Sequence, residues 1–297
     1  MDIIVGKNSG FCYGVKRAVE NAENDLENTC EKIYCLGEIV HNKEVVNELA
    51  KKGIQFIDSI FEADNTTIIR AHGVPKEVYK YAKENGIELR DYTCPNVLKI
   101  HKLVEKYANN GYTIVLFGSS EHPENVGTIS FCGDSYFVIE NEKELYEAIE
   151  AINGGNINKV LVVSQTTFSL EKFYIFEDIL KNELFKNIDL VIENTICKAT
   201  EIRQEETEEL SKNVDCMIVI GGKNSSNTKK LYDIASRYCA NSICIENEKE
   251  IDDFNFRNFD KIGIMAGAST PQNSIDDVKE KLLDSIANIK SLEKSVK

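Results

Sequence analysis

Three cysteines, Cys12, Cys94 and Cys197, stand at the ends of strand-like runs, just before helix-like ones, and each opens a similar stretch of chain. From Cys12 the next polar landmarks are His41 and His72; from Cys94 they are His122 and Thr166; from Cys197 they are Ser225 and Ser269. The first steps are 29, 28 and 28 residues, and the second are 31, 44 and 44. One literal echo supports this register. Ile139–Leu145 reads IENEKEL and Ile245–Ile251 reads IENEKEI, both between the second and third landmarks. One supersecondary unit used three times accounts for the pattern. Three equivalent positions meeting on a pseudo-threefold axis would bring three thiolates to one point, a metal site with an open face.

Short apolar runs alternate with longer helix-periodic ones along the chain, the signature of α/β units with parallel sheets. The expected strands are Ile3–Val5, Ile33–Leu36, Thr67–Arg70 and Leu89–Tyr92, then Ile114–Phe117, Phe137–Ile139, Val160–Val163 and Leu190–Glu193, then Met217–Ile220, Ile243–Ile245 and Ile262–Met265. In the first two units the last helix is followed by a strand that delivers the next cysteine. After Ser269 only one helix remains, expected over Ser274–Ile289, so the N-terminal strand is the element left to complete the third sheet. The expected division is 13–95, 96–194 and 195–297, the last completed by residues 1–12.

Composition narrows the function. Net charge is −14 with no basic run of the kind that tracks nucleic acid, which argues against DNA or RNA as a partner. A small anion remains admissible, because backbone amides at helix N-termini bind anions without Lys or Arg. The start of the chain lacks a basic segment followed by an apolar one, and no apolar run approaches the length of a membrane span. A cytoplasmic protein with no membrane association is the expectation. Nine cysteines, an odd number in a reduced compartment, argue against a disulfide framework. Cys35, Cys216 and Cys244 read as small buried hydrophobes, and Cys30, Cys132 and Cys239 as bystanders near element ends.

In open parallel sheets ligands bind beyond the carboxyl ends of the strands, where all the landmarks fall. Taken singly, Ser225, Asn227 and Ser269 would serve well enough as helix caps or turn residues. Their convergence is the argument for function. The cysteine spacings of 82 and 103 residues fit neither a ferredoxin run nor a zinc finger. Three thiolates could hold a four-iron cluster with one iron left open, or a zinc ion with a histidine; the spacing does not choose. Three of the four histidines, His41, His72 and His122, sit at strand ends and suit a diphosphate together with Ser, Thr and Asn. His101 falls on a helix-like run and reads as an ordinary helical residue. Glu124, after Pro123, would be a plain first-turn acid, or a proton donor if buried beside anions.

The motifs Gly10-Phe-Cys12, Val40-His-Asn42, Ala71-His-Gly-Val74, Thr93-Cys-Pro95, His122-Pro-Glu124, Gln165-Thr-Thr167, Cys197-Lys-Ala-Thr200, Arg203-Gln204, Lys223-Asn-Ser-Ser-Asn227 and Ala266-Gly-Ala-Ser-Thr-Pro271 run in order through nearly the whole chain. In them the sequence resembles the 4-hydroxy-3-methylbut-2-enyl diphosphate reductases (the LytB family), which close the non-mevalonate isoprenoid pathway. The resemblance implies a trefoil of three α/β domains around a 4Fe-4S cluster held by Cys12, Cys94 and Cys197, with one open iron. It implies that His41, His72, Ser225, Ser226, Asn227 and Ser269 hold the diphosphate, that His122 and Thr166 face the hydroxyl end, and that Glu124 supplies protons. Thr167 could exchange roles with Thr166. The implied reaction is a two-electron, two-proton reductive dehydroxylation, with ferredoxin or flavodoxin as donor. An open-iron hydro-lyase, which needs no reductant, and a non-catalytic three-cysteine metal sensor are the alternatives. Ser119 stands where the family often has histidine, and Tyr13 and Lys198 replace residues that vary or are usually smaller or uncharged.

Overall fold

The computed structural model describes residues 2–29 and 31–295, the stretch 286–295 as backbone only. Cys30, read as a bystander, lies outside the described residues. Among the described residues twelve strands form three four-stranded sheets in which every pairing is parallel. The first holds β2 (Ile33–Leu36), β3 (Ile54–Ile57), β4 (Thr67–Ile69) and β5 (Leu89–Asp91), in the order β3-β2-β4-β5. In the second, β6 (Thr113–Phe117), β7 (Tyr136–Ile139), β8 (Lys159–Ser164) and β9 (Asp189–Ile192) take the order β7-β6-β8-β9. The third orders β10 (Cys216–Ile220), β11 (Ser242–Ile245), β12 (Lys261–Ala266) and the N-terminal β1 (Asp2–Val5) as β11-β10-β12-β1.

The three orders are one order. Strand β1 occupies in the third sheet the place that β5 and β9 hold in the others, with Asp2 opposite Lys261 and Val5 opposite Ile264. The expected N-terminal completion is therefore what the backbone does. Each of these three strands ends a few residues before a cysteine of the repeat, so topology alone sets the cysteines at equivalent strand ends. The reading from sequence missed one element, β3. Its four residues, Ile54–Ile57, follow Gly53 and the helix Lys43–Lys52 (α2) directly, and as an edge strand with Gln55 exposed they carry too little pattern to stand apart.

Helices cover both sheet faces, and the central strands β6 and β10 are buried at every residue. In the second sheet alternate residues divide between two cores. Val115, Phe117, Val160 and Val162 pack with Leu145 and Ile149 of α6 (Glu142–Gly154) and with Phe173 and Phe176 of α7 (Leu170–Glu183). Ile114, Leu116, Leu161 and Val163 pack instead with Ile100 and Val104 of α4 (Pro95–Ala108). The third sheet repeats this, with Ile218 and Ile264 facing Val278 and Leu282 of α10 (Gln272–Ser295), and Met217 and Val219 facing Leu231 and Ala235 of α9 (Ser226–Tyr238). Each buried Val, Leu, Ile, Met or Phe among these contributes about 1.5–3 kcal/mol by leaving water.

The chain folds as two compact units. Residues 14–40 and 46–197 form one and contain the first and second sheets; residues 1–13, 41–45 and 198–297 form the other around the third. No helix among the described residues is long and apolar enough to cross a membrane.

Candidate active site

In the larger unit the chemistry gathers around α5 (Pro123–Ile129), a short helix entered from β6 through Gly118 and capped by His122. The His122 ring accepts the Glu124 amide at Nδ1 (3.2 Å), and its ring centre lies 5.7 Å from that of His72. Pro123 at the first helical position turns Glu124 inward, where it is only 2 % exposed. Both carboxylate oxygens of Glu124 are engaged by one residue. Thr166 donates its backbone N–H to Oε1 and its hydroxyl to Oε2, each at 2.6 Å. Burial pushes the Glu124 carboxyl up to about 7, against the Thr166 hydrogen bonds, which favour the ionised form. The acid is thus poised near neutrality. Thr167 makes a different bond, accepting Gln165 Nε2 at 2.7 Å, so it is Thr166 that meets Glu124.

The same unit carries Cys94 and Cys197, both half-buried and neither in a disulfide. Cys94 caps α4 and donates its N–H to the Ala71 carbonyl (2.9 Å), beside His72. Cys197 donates its N–H to the carbonyl of Thr166 (2.9 Å), which ties the strand end after β9 to the residue that holds Glu124. Gly14 makes room for a sulfur: a Cβ there would come within 2.6 Å of Cys94 Sγ.

In the smaller unit Cys12 donates its N–H to the Ala268 carbonyl (3.0 Å), next to Ser269. Its approach is anchored by Arg203, 4 % exposed on α8 (Lys198–Ser211), which donates to the Gly10 carbonyl at 2.7 Å. The Ser269 hydroxyl donates to the His41 carbonyl (3.1 Å). Gly222 lies so near that carbonyl that a Cβ would meet it at 2.6 Å. Ser225 is the N-cap of α9, its hydroxyl accepting from the Thr228 amide, so the capping role open to it from sequence is filled. Asn227 differs. It is 3 % exposed, yet neither its amide nitrogen nor its carbonyl oxygen has a partner among the described residues. An unsatisfied buried amide costs about 1–3 kcal/mol and so calls for a physical explanation.

The structure therefore places Cys94, Cys197, His72, His122, Glu124 and Thr166 at the strand ends of one unit, and Cys12, His41, Ser225, Ser226, Asn227 and Ser269 at those of the other. Of the remaining described cysteines, Cys35, Cys132, Cys216 and Cys239 are buried, whereas Cys244, expected to be buried, is only half-buried on the edge strand β11; burial pushes the thiols of Cys35, Cys132 and Cys216 up to about 12. Three supporting residues had no role assigned from sequence. Arg203 stood in a motif without a function. Asn125, fully buried, donates to the Ser119 carbonyl (2.7 Å) and to Gln165 (3.0 Å), bracing the loop before His122. Gly14 had no signal beyond being a glycine two residues from Cys12.

The chain matches the profile of the LytB protein family over residues 3–283. It is 42% identical over 288 residues to a 4-hydroxy-3-methylbut-2-enyl diphosphate reductase of Thermoanaerobacter sp. (strain X514), covering 95% of this chain and 96% of that one. The enzyme of the same name from Clostridioides difficile (strain 630) is 40% identical over 280 residues, covering 94% and 98%. Among solved structures, an (E)-4-hydroxy-3-methyl-but-2-enyl diphosphate reductase described as the terminal enzyme of the non-mevalonate pathway matches with TM-score 0.68 and 37% identity, over 96% of this chain and 100% of that one. The Plasmodium falciparum E-1-hydroxy-2-methyl-but-2-enyl-4-diphosphate reductase matches with TM-score 0.84 and 31% identity, over 92% and 85%. Profile, relatives and solved structures agree, and the chain belongs to the LytB family.

Proposed function

We propose that this chain reduces (E)-4-hydroxy-3-methylbut-2-enyl diphosphate to isopentenyl diphosphate and dimethylallyl diphosphate. Two electrons and two protons are consumed, the allylic C–O bond breaks, and the oxygen leaves as water. The observation that carries the reading to this chain's own residues is the buried Glu124–Thr166 pair, an acid held near neutrality at the strand ends beside His122.

The residues fit an iron-sulfur group. Cys12, Cys94 and Cys197 are half-buried and outside any disulfide, each follows a strand that occupies the same place in its sheet, and Gly14 leaves the space a sulfur ligand needs. We assign these three as the holders of a 4Fe-4S cluster with one iron free of protein ligands. Such a group supplies electrons one at a time, drawn from a small acidic carrier of the ferredoxin or flavodoxin type.

The protein's part is binding, orientation and proton supply. Asn227 offers the diphosphate a ready N–H donor, and Ser225, Ser226 and Ser269 add hydroxyls on the same unit. His41 and His72 provide ring donors without lysine. His122 faces the hydroxyl end from the helix cap, with Thr166 beneath it. Glu124 holds its proton until charge develops on the departing oxygen or the allyl carbons, because burial makes its ionisation uphill below about pH 7. Positioning and electrostatics thus carry much of the rate. The division into 13–95, 96–194 and 195–297 with 1–12 and a cytoplasmic location belong to the same proposal.

The test is iron, sulfide and zinc content of anaerobically purified protein, with EPR after dithionite reduction and again with the diphosphate. About four irons per chain and a spectrum changed by substrate are expected. Stoichiometric zinc without a reducible signal would remove the cluster assignment.

A further inference from the structure

We infer that Asn96 tunes the iron-sulfur centre by donating a side-chain hydrogen bond to the sulfur of Cys197. The inference rests on the assignment of Cys197 as a cluster ligand. Asn96 is the second residue of α4, after the cap Cys94 and Pro95. A first-turn asparagine ordinarily faces water or bonds to its own backbone. Here Nδ2 lies 3.0 Å from Cys197 Sγ, across 101 positions of sequence. The motif read from sequence stopped at Pro95, one residue short of it.

The geometry is held from both ends. Cys94, which starts the helix, is tied to Ala71 through its N–H, and Cys197 is tied to Thr166 in the same way. The helix capped by one ligand thus carries a donor to another, within one compact unit. Asn96 is half-buried, so water competes only partly for its amide.

The electrostatic consequence has a definite sign. An amide N–H pointing at a thiolate sulfur stabilises negative charge there. The reduced cluster carries one more electron than the oxidised one, so the bond favours the reduced state and raises the reduction potential. Removing the donor lowers the potential and makes the centre harder to charge.

The experiment is an EPR-monitored redox titration, with iron and sulfide content, on the anaerobically purified full chain and its Asn96→Leu, Asn96→Asp and Asn96→Gln variants. Asn96→Leu is expected to keep the cluster with a midpoint shifted to more negative potential. Asn96→Asp, an acceptor with added charge, shifts further in the same direction, and Asn96→Gln, which keeps an amide donor, lies nearer the parent. Unchanged midpoints in Asn96→Leu and Asn96→Asp, while Cys197→Ser loses iron, overturn the tuning role alone. Full iron in Cys197→Ser overturns the ligand assignment and the inference with it. Loss of the cluster in Asn96→Leu but not in Asn96→Gln supports the donor role; loss in both overturns it in favour of packing.

Discussion

Thr166 grips both oxygens of the buried Glu124 carboxylate, one with its backbone N–H and one with its hydroxyl, each at 2.6 Å. Glu124 sits at the start of α5 and Thr166 just beyond β8, the two strands β6 and β8 being neighbours in the second sheet. Because the carbonyl of Thr166 also receives the Cys197 amide, acid and proposed cluster ligand are set by one short segment. A buried acid with no cation beside it among the described residues is a poor stabiliser, which is what the proposed proton transfer accounts for.

Replacing Glu124 by Gln is expected to lower turnover by at least about 100-fold with iron content unchanged. Normal turnover in that variant would remove Glu124 as proton donor. In the parent enzyme activity should fall as pH rises through about 7, the value to which burial lifts the acid, since only the protonated form can donate. Stability gives an independent readout. The folded-state value lies above the unfolded one, so the folded state's advantage is full below about pH 4.5 and is lost as pH rises through about 7. Glu124→Gln escapes this loss and should gain on the parent by up to about 3 kcal/mol above neutrality, measurable as a difference between denaturation curves at pH 5 and pH 8.

Thr166→Val keeps the backbone bond and the shape of the side chain but removes the hydroxyl bond to Oε2. That bond favours the ionised carboxylate, so its loss raises the carboxyl further and moves the alkaline limb of the pH–rate profile to higher pH. An unmoved limb would detach Thr166 from the titration. The corresponding change at Thr167, which bonds Gln165 instead, should leave the limb in place.

Asn227→Leu separates binding from folding. The buried amide has no partner among the described residues, so an apolar side chain of similar shape should leave the Tm of the free protein unchanged or raised. The KM for the diphosphate should rise by roughly 10-fold or more, the worth of a hydrogen bond to a charged group. A lowered Tm with unaltered KM would return Asn227 to a purely structural role.

Gly14→Ala should reduce iron per chain, because its Cβ would fall within 2.6 Å of Cys94 Sγ. Helix propensity works in the opposite direction, favouring alanine by about 0.5–1 kcal/mol inside a helix. A variant that is more stable and holds full iron would show that Cys94 has room to move.

Much of this arrangement was legible in advance, and for physical reasons. Parallel strands buried on both faces read as apolar runs, as β6 and β10 do, and turn chemistry marks their ends. The asymmetry after Ser269 was enough to assign β1 to the third sheet, because the repeat leaves in that sheet one place with no strand of its own to fill it. Strand β3 escaped because four residues behind a helix make no period. The bond from Asn96 to Cys197, the glycine space at Cys94 and the isolation of the Asn227 amide leave no mark in local sequence at all. The sequence by itself determined the repeat, the sheet class and the residue types at each strand end, since periodicity and turn chemistry are local properties of the chain. Only the tertiary structure decided which threonine meets Glu124, how far burial lifts that acid and which sulfur receives the Asn96 amide. Those depend on distances between segments far apart in sequence, and on the water each one excludes.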